Sequence, residues 1–179
     1  MAQQPEQPSR SDRKMEEIAS VIKLTPKQNS TISEAWGKRN LAIDSLLLVS
    51  DSKERAYKKY SIEKQFHEVL IGCLTDKQIS NYVNIVFAPE VDAKTEYRLS
   101  LLLEQENLYS ETEITKMKAE IYNYLMLEKI VYFKDKYDFA KQKNNISRLK
   151  ALQPTSLKSS NNLEKQKGYG KFMNGKINW

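Results

Sequence analysis

The side chains that most often bind metals or act as nucleophiles are scarce in this chain. It has one histidine, His67, and one cysteine, Cys73. One of each cannot supply the three or four protein ligands of a usual zinc site. Because the two residues are six positions apart, they would also point to different faces of a helix. We interpret both as core residues and expect no metal site, no cofactor and no disulfide within the chain.

Sequence motifs of catalysis are missing as well. There is no P-loop, no GxGxxG fingerprint, no nucleophile elbow and no metal-binding helix motif. Adjacent carboxylates such as Glu16 and Glu17 are typical of a helix surface, and no pattern positions a histidine or carboxylate for acid–base catalysis. The sequence therefore predicts a binding protein and not an enzyme.

The composition favours an all-α fold. The 179 residues include only five glycines and five prolines, whereas β-rich folds use many of both in their turns. The longest apolar runs fall well short of the eighteen residues that a membrane-spanning helix needs. We expect a disordered segment at 1–10, a single helical domain at 11–154 and a basic disordered tail at 155–179. The tail has five lysines and one glutamate, so it carries +4 of the chain's net charge of +6.

A repeated five-residue pattern marks two helix starts. Leu24-Thr25-Pro26-Lys27-Gln28 is followed fifty residues later by Leu74-Thr75-Asp76-Lys77-Gln78, so both copies read LTxxQ. In each copy the threonine is a good N-cap. The glutamine stands three residues after it, where its side chain can reach back and close a capping box. The residues assigned to these helix-capping motifs are Leu24, Thr25, Gln28, Leu74, Thr75 and Gln78.

The segments between and after the motifs predict further helices. One helix should run from Thr25 to about Leu48 and a second from Asp51 to about Gly72, and the short turn between them predicts an antiparallel helical hairpin. Pro89 either kinks a helix or ends it. A further capping box at Ser110 opens a helix that should continue to about Lys143.

Two LTxxQ motifs with a helical hairpin between them resemble the Spy/CpxP family of periplasmic stress proteins, over roughly residues 11–150. The resemblance implies an extended, curved bundle that forms an antiparallel homodimer. It also implies a chaperone that shields unfolded or damaged proteins of the cell envelope without ATP. On this interpretation a signal peptide has been removed from a periplasmic protein; if Met1 is the native start, the protein is cytoplasmic.

Such a chaperone needs cations to attract its clients and amphipathic side chains to hold them weakly. Aromatic residues can instead belong to the core, and lysines to a solvated face. The candidate client-binding residues on the two hairpin helices are Trp36, Lys38, Arg39, Arg55, Tyr57, Lys58, Lys59 and Tyr60.

Two other functions fit parts of the sequence. A metal or envelope-stress sensor of the same fold would have to rely mostly on carboxylates, which suit hard ions. The tail alternates lysines with Tyr169, Phe172 and Trp179, a composition that can stack on single-stranded nucleic acid. A disordered, solubilising tail is the alternative reading of that segment.

Overall fold

The structure is a computed structural model that describes residues 10–105 and 109–173, with side chains described for 16–105 and 109–168. These residues form helices and contain no strand, which confirms the all-α prediction. The expected disorder at 1–9 lies outside the described residues. The helices are α1 Arg10–Val21, α2 Pro26–Ser45, α3 Ser52–Cys73, α4 Asp76–Val86, α5 Ala88–Leu103, α6 Glu111–Lys134, α7 Phe139–Ala151 and α8 Thr155–Met173, and a 3₁₀ turn, Leu46–Leu48, follows α2.

The chain divides into two compact units, the first ending at Ile85 and the second beginning at Val86. The single helical domain over 11–154 stays a prediction. Pro89 lies in the first turn of α5, where a missing N–H breaks no helical hydrogen bond. It therefore belongs to the start of a new helix and does not kink a continuous one.

In the first unit, α2 and α3 form the expected antiparallel hairpin. Trp36 packs against Phe66, and Arg39 binds Glu63. From the first contact to the second, the residue number increases along α2 and decreases along α3, as antiparallel helices require. The buried apolar side chains of this unit are Ile18, Ile22, Ile32, Leu46, Leu70, Leu74, Ile79, Tyr82 and Val83.

In the second unit, α5 packs against α6 and α8, and α6 packs against α7. The long helix expected after Ser110 ends at Lys134, nine residues early. Asp135 is buried and accepts a hydrogen bond from Asn145 Nδ2 at 2.7 Å. Asp138 caps α7 by accepting from the Lys141 N–H at 3.0 Å. Short acidic side chains that bind nearby groups in this way compete with the continuing helix, so they end α6.

The segment expected to be a disordered tail is helical as far as Met173, which corrects that prediction for 155–173. Leu157 is 2% exposed and Ser160 is fully buried, so α8 contributes to the core of the second unit. Glu164 on α8 accepts hydrogen bonds from Arg98 at 2.5 Å and from the Tyr97 hydroxyl at 3.2 Å. Few apolar residues are enough to pack α8 against the rest of the second unit, because Leu157 and Ser160 form a buried stripe on an otherwise lysine-rich helix.

One carboxyl group in the second unit is partly removed from water. Burial raises the pKa of Glu128 above its usual value, and the nearby charges of Lys150, Lys94 and Arg98 offset this only in part. Burial also raises the pKa of the neighbouring Tyr124 to about 12. A folded-state pKa above the unfolded one means that the folded protein binds the proton more tightly. The carboxyl group therefore lowers stability as the pH rises through its folded-state pKa.

We expect Glu128→Gln to be more stable than the wild type at neutral pH, because the amide need not ionise in a half-buried site. The advantage should vanish when the pH falls below about 4.3, where the unfolded carboxyl group is also protonated. Urea denaturation at both pH values measures this. Glu34→Gln is the control in which no gain in stability is expected, since Lys38 lowers the pKa of exposed Glu34. A loss of stability in Glu128→Gln at neutral pH would contradict the assignment.

Candidate functional site

Both LTxxQ motifs form the capping boxes that the sequence predicts. Thr25 donates its N–H to Gln28 Oε1 at 2.9 Å, and its Oγ1 accepts from the Gln28 N–H at 3.2 Å. Thr75 and Gln78 repeat this exchange at 3.0 and 3.2 Å. Each box satisfies donors that the first turn of a helix leaves unpaired.

The structure adds a contact that the sequence pattern does not reveal: the two motifs bind each other. Gln28 Nε2 donates to the Cys73 carbonyl at 2.7 Å, and Gln78 Nε2 donates to the Lys23 carbonyl at 2.8 Å. The two amides also contact each other, with Nε2–Oε1 distances of 2.9 and 3.1 Å. Each glutamine therefore caps its own helix and binds the residue that precedes the other motif. We call Gln28, Gln78 and the carbonyls of Lys23 and Cys73 the glutamine node.

The node explains why both motifs end in glutamine. A capping box accepts either glutamine or glutamate at this position, because only an acceptor oxygen is needed. The third box of the chain uses Glu113, which accepts from the Ser110 N–H at 2.8 Å and binds no second motif in any contact described. In the node the same side chain must accept at one end and donate at the other, and an amide can do both whereas a carboxylate cannot. Beside the node, Leu74 is buried and Leu24 is half-buried.

Two of the predicted client-binding residues contribute to the packing of the hairpin. The Arg39 guanidinium lies 4.3 Å from the centre of the Trp36 ring and donates from Nε to Glu63 Oε2 at 2.9 Å. Trp36 also meets Phe66 edge to face, with ring centres 4.9 Å apart. The Arg39 and Glu63 side chains are only 18% and 26% exposed. These contacts hold α2 against α3.

Three more of the predicted residues have partners within the hairpin. Arg55 donates to the Val49 carbonyl from Nε at 2.9 Å and from Nη2 at 2.6 Å, which fixes the turn before α3. Lys38 pairs with Glu34 at 2.6 Å, and Lys58 pairs with Glu54 at 2.7 Å. The two lysine pairs are exposed and each spans one helical turn, so they contribute little to stability.

The remaining three predicted residues, Tyr57, Lys59 and Tyr60, lie on an exposed part of α3. Every residue from 51 to 60 is exposed, with Tyr57 at 75% and Tyr60 at 41%. We call residues 51–60 the exposed start of α3. Residues 52–60 carry four cationic side chains and one carboxylate, so a net positive charge accompanies the tyrosines.

Sequence reasoning missed the exposed leucines at the same end of the hairpin. Leu41 is 74% exposed, Leu47 is 84% exposed and Leu48 is 90% exposed, whereas Leu46 is buried. The helical periodicity of the apolar residues predicts that Leu47 lies on the buried stripe of α2. Three consecutive leucines cannot all face one side of a helix, and this is the signal in the sequence that pointed to exposure.

Cavities lie away from these exposed residues. In the first unit, a groove of about 200 Å³ runs along the flank of the hairpin and is lined by Ala35, Lys38, Arg39, Ala42, Ile62, Gln65, Phe66 and Val69. In the second unit, a more open cleft of about 580 Å³ combines apolar side chains with Glu113, Lys116 and Glu120. Within the described residues, no three His, Cys, Asp or Glu side chains are grouped to hold a metal ion. No helix in that part of the chain is long and apolar enough to cross a membrane.

Comparison with protein-family models, with curated proteins and with solved structures finds no match for this chain.

The node gives a direct test with two complementary substitutions. Gln28→Glu keeps an acceptor for the Thr25 N–H but removes the donor to the Cys73 carbonyl and brings a charge against it. We expect a loss of about 1–3 kcal/mol in the free energy of unfolding, measured by urea denaturation. Glu113→Gln makes the reverse change in a box that needs only an acceptor. Its cost should be smaller than that of Gln28→Glu. Equal losses in the two variants would show that the amide donors contribute nothing.

Proposed function

We propose that this protein binds unfolded or partly folded proteins without ATP, through the exposed start of α3. The observation that carries the proposal is the run of ten exposed residues at 51–60, which contains two tyrosines and a net positive charge. A helix whose first turns bury none of their side chains is not stabilised there by a core of its own. Apolar groups on such a surface indicate contact with another molecule.

The chemistry of this surface suits a loosely specific client. Lys59 and its cationic neighbours attract segments of opposite charge over several ångströms. Tyr57 and Tyr60 offer apolar rings with polar tips, which can hold an exposed hydrophobic segment without excluding water completely. No deep pocket lies among the described residues 51–60, so contacts would be shallow and release would be fast.

The LTxxQ motifs support the same proposal through their resemblance to the Spy/CpxP family. With that resemblance, the proposal extends to a location in the cell envelope and to an antiparallel homodimer. Trp36 and Arg39 have a different role in it from the one that their sequence suggested. They hold the hairpin together, and the clients bind beyond them, where the hairpin helices are exposed.

Light scattering during dilution of a chemically unfolded client tests the proposal. Without nucleotide, the wild type should suppress aggregation at about one dimer per client. Tyr57→Ser/Tyr60→Ser should need a several-fold excess for the same effect, because two apolar contact groups are removed. Tyr132→Ser is the matched control, since Tyr132 is 46% exposed in the second unit.

Failure of the wild type to suppress aggregation of two unrelated clients at several-fold excess would contradict the proposed function. Suppression that is unchanged in the double tyrosine variant would contradict the proposed surface. Circular dichroism of each variant shows whether the helices are intact, so that a loss of binding is not mistaken for a loss of fold.

A further inference from the structure

The turn between α2 and α3 presents two leucines at the end of the hairpin. Leu46 is buried and anchors the turn, whereas Leu47 and Leu48 directly after it are 84% and 90% exposed. We call Leu47 and Leu48 the leucine tip. No described residue covers these two side chains, although they are among the most apolar groups of the first unit.

Hydrogen bonds hold the backbone around the leucine tip. Two N–H groups of Arg55 converge on the Val49 carbonyl, immediately after Leu48. The Val49 N–H donates to the Leu46 carbonyl at 3.1 Å, and Asp51 caps α3 by accepting from the Glu54 N–H at 2.7 Å. The leucines are therefore presented by a fixed turn, which reduces the conformational entropy lost when they bind.

The shape of this end favours a soft planar partner. The leucine tip lies at the turn of a two-helix hairpin, and the apolar groove of the first unit lies along the flank between the helices and not at the turn. A folded protein would need a matching concavity to cover a protruding pair of leucines. The interfacial layer of a lipid bilayer accepts apolar side chains without such a match.

Charges beside the tip complement anionic headgroups. Lys53, Arg55, Lys58 and Lys59 occupy the first two turns of α3, which rise about 1.5 Å per residue. They are thus within about 10 Å of the start of the helix, comparable to the Debye length of about 8 Å at physiological ionic strength. Residues 44–60 contain these four cations and three carboxylates, so the net charge of the segment is +1. Asp51 is occupied as a helix cap, and Glu54 is paired with Lys58.

We propose that the leucine tip docks this protein on the surface of an anionic lipid bilayer. Leu47 and Leu48 enter the boundary between headgroups and acyl chains, Tyr57 lies at the level of the headgroups, and Lys53 and Lys59 face lipid phosphates. Two leucines give weak, reversible attachment, far from the permanent insertion of a spanning helix. The docking shares Tyr57 and Lys59 with the proposed client surface, but it depends on the leucine tip and needs no unfolded protein.

Sedimentation with vesicles tests this with the full chain. The probes are vesicles of phosphatidylcholine, with and without phosphatidylglycerol. We expect the wild type to bind the vesicles that contain phosphatidylglycerol. The affinity of Leu47→Ser/Leu48→Ser for the same vesicles should be lower by about tenfold or more. Leu152→Ser is the matched control, because Leu152 is 75% exposed in the second unit and should not affect binding. Lys53→Gln/Lys59→Gln should weaken binding only where the anionic lipid is present.

No binding of the wild type, or equal binding by the double leucine variant, would overturn the proposal. A double leucine variant that changes the oligomeric state and not the vesicle affinity would assign the leucine tip to a second copy of the chain, and would also overturn it. Light scattering without lipid separates this result from the proposed function: loss of vesicle binding with aggregation suppression intact supports docking alone.

Discussion

Four hydrogen bonds from two glutamine amides hold the start of α2 against the end of α3 and the start of α4. Gln28 and Gln78 each donate to the carbonyl that precedes the other motif and to each other, at distances between 2.7 and 3.1 Å. Because each glutamine also closes its own capping box, the first turns of α2 and α4 are joined through the node. It fixes the register from which the rest of the first unit follows.

The hairpin changes in character from the node towards the turn. Near the node, buried leucine and isoleucine side chains surround the motifs. In the middle, Trp36, Phe66, Arg39 and Glu63 pack the two helices together through rings and an ion pair. Beyond that contact, residues 51–60 are all exposed, and only Leu46 at the turn is buried. The node and the aromatic contact thus hold the hairpin in place, and its far end is exposed.

Local signals in the sequence predicted the local structure well. The threonine and serine caps, the hairpin and the helical class depend on residues a few positions apart, and their chemistry is readable along the chain. Contacts between distant residues were not readable. The pairing of Gln28 with Gln78 spans fifty residues, and nothing in either motif alone distinguishes a glutamine that only caps from one that also donates across the unit.

The same limit explains the errors. The contacts of Trp36 and Arg39 within the hairpin were not predicted, because the phenylalanine and the glutamate that they bind are on the facing helix. The end of α6 was missed because the apolar periodicity continues past Asp135, while the side chain of Asn145 that binds this aspartate is ten residues away. The helix α8 was not predicted, because the polar, lysine-rich composition of the segment indicated disorder. Its buried stripe, which includes Leu157 and Ser160, is sparse.

A double-mutant cycle on the glutamine node tests the account most directly. Gln28→Ala, Gln78→Ala and the double variant would be unfolded in urea, and the coupling energy calculated from the three losses in stability. The account predicts that the double variant loses less than the two single variants together, with a coupling of about 1 kcal/mol or more, because either substitution already breaks the contact between the amides. Additive losses, within about 0.5 kcal/mol, would show that the two motifs act as separate caps and would contradict the node.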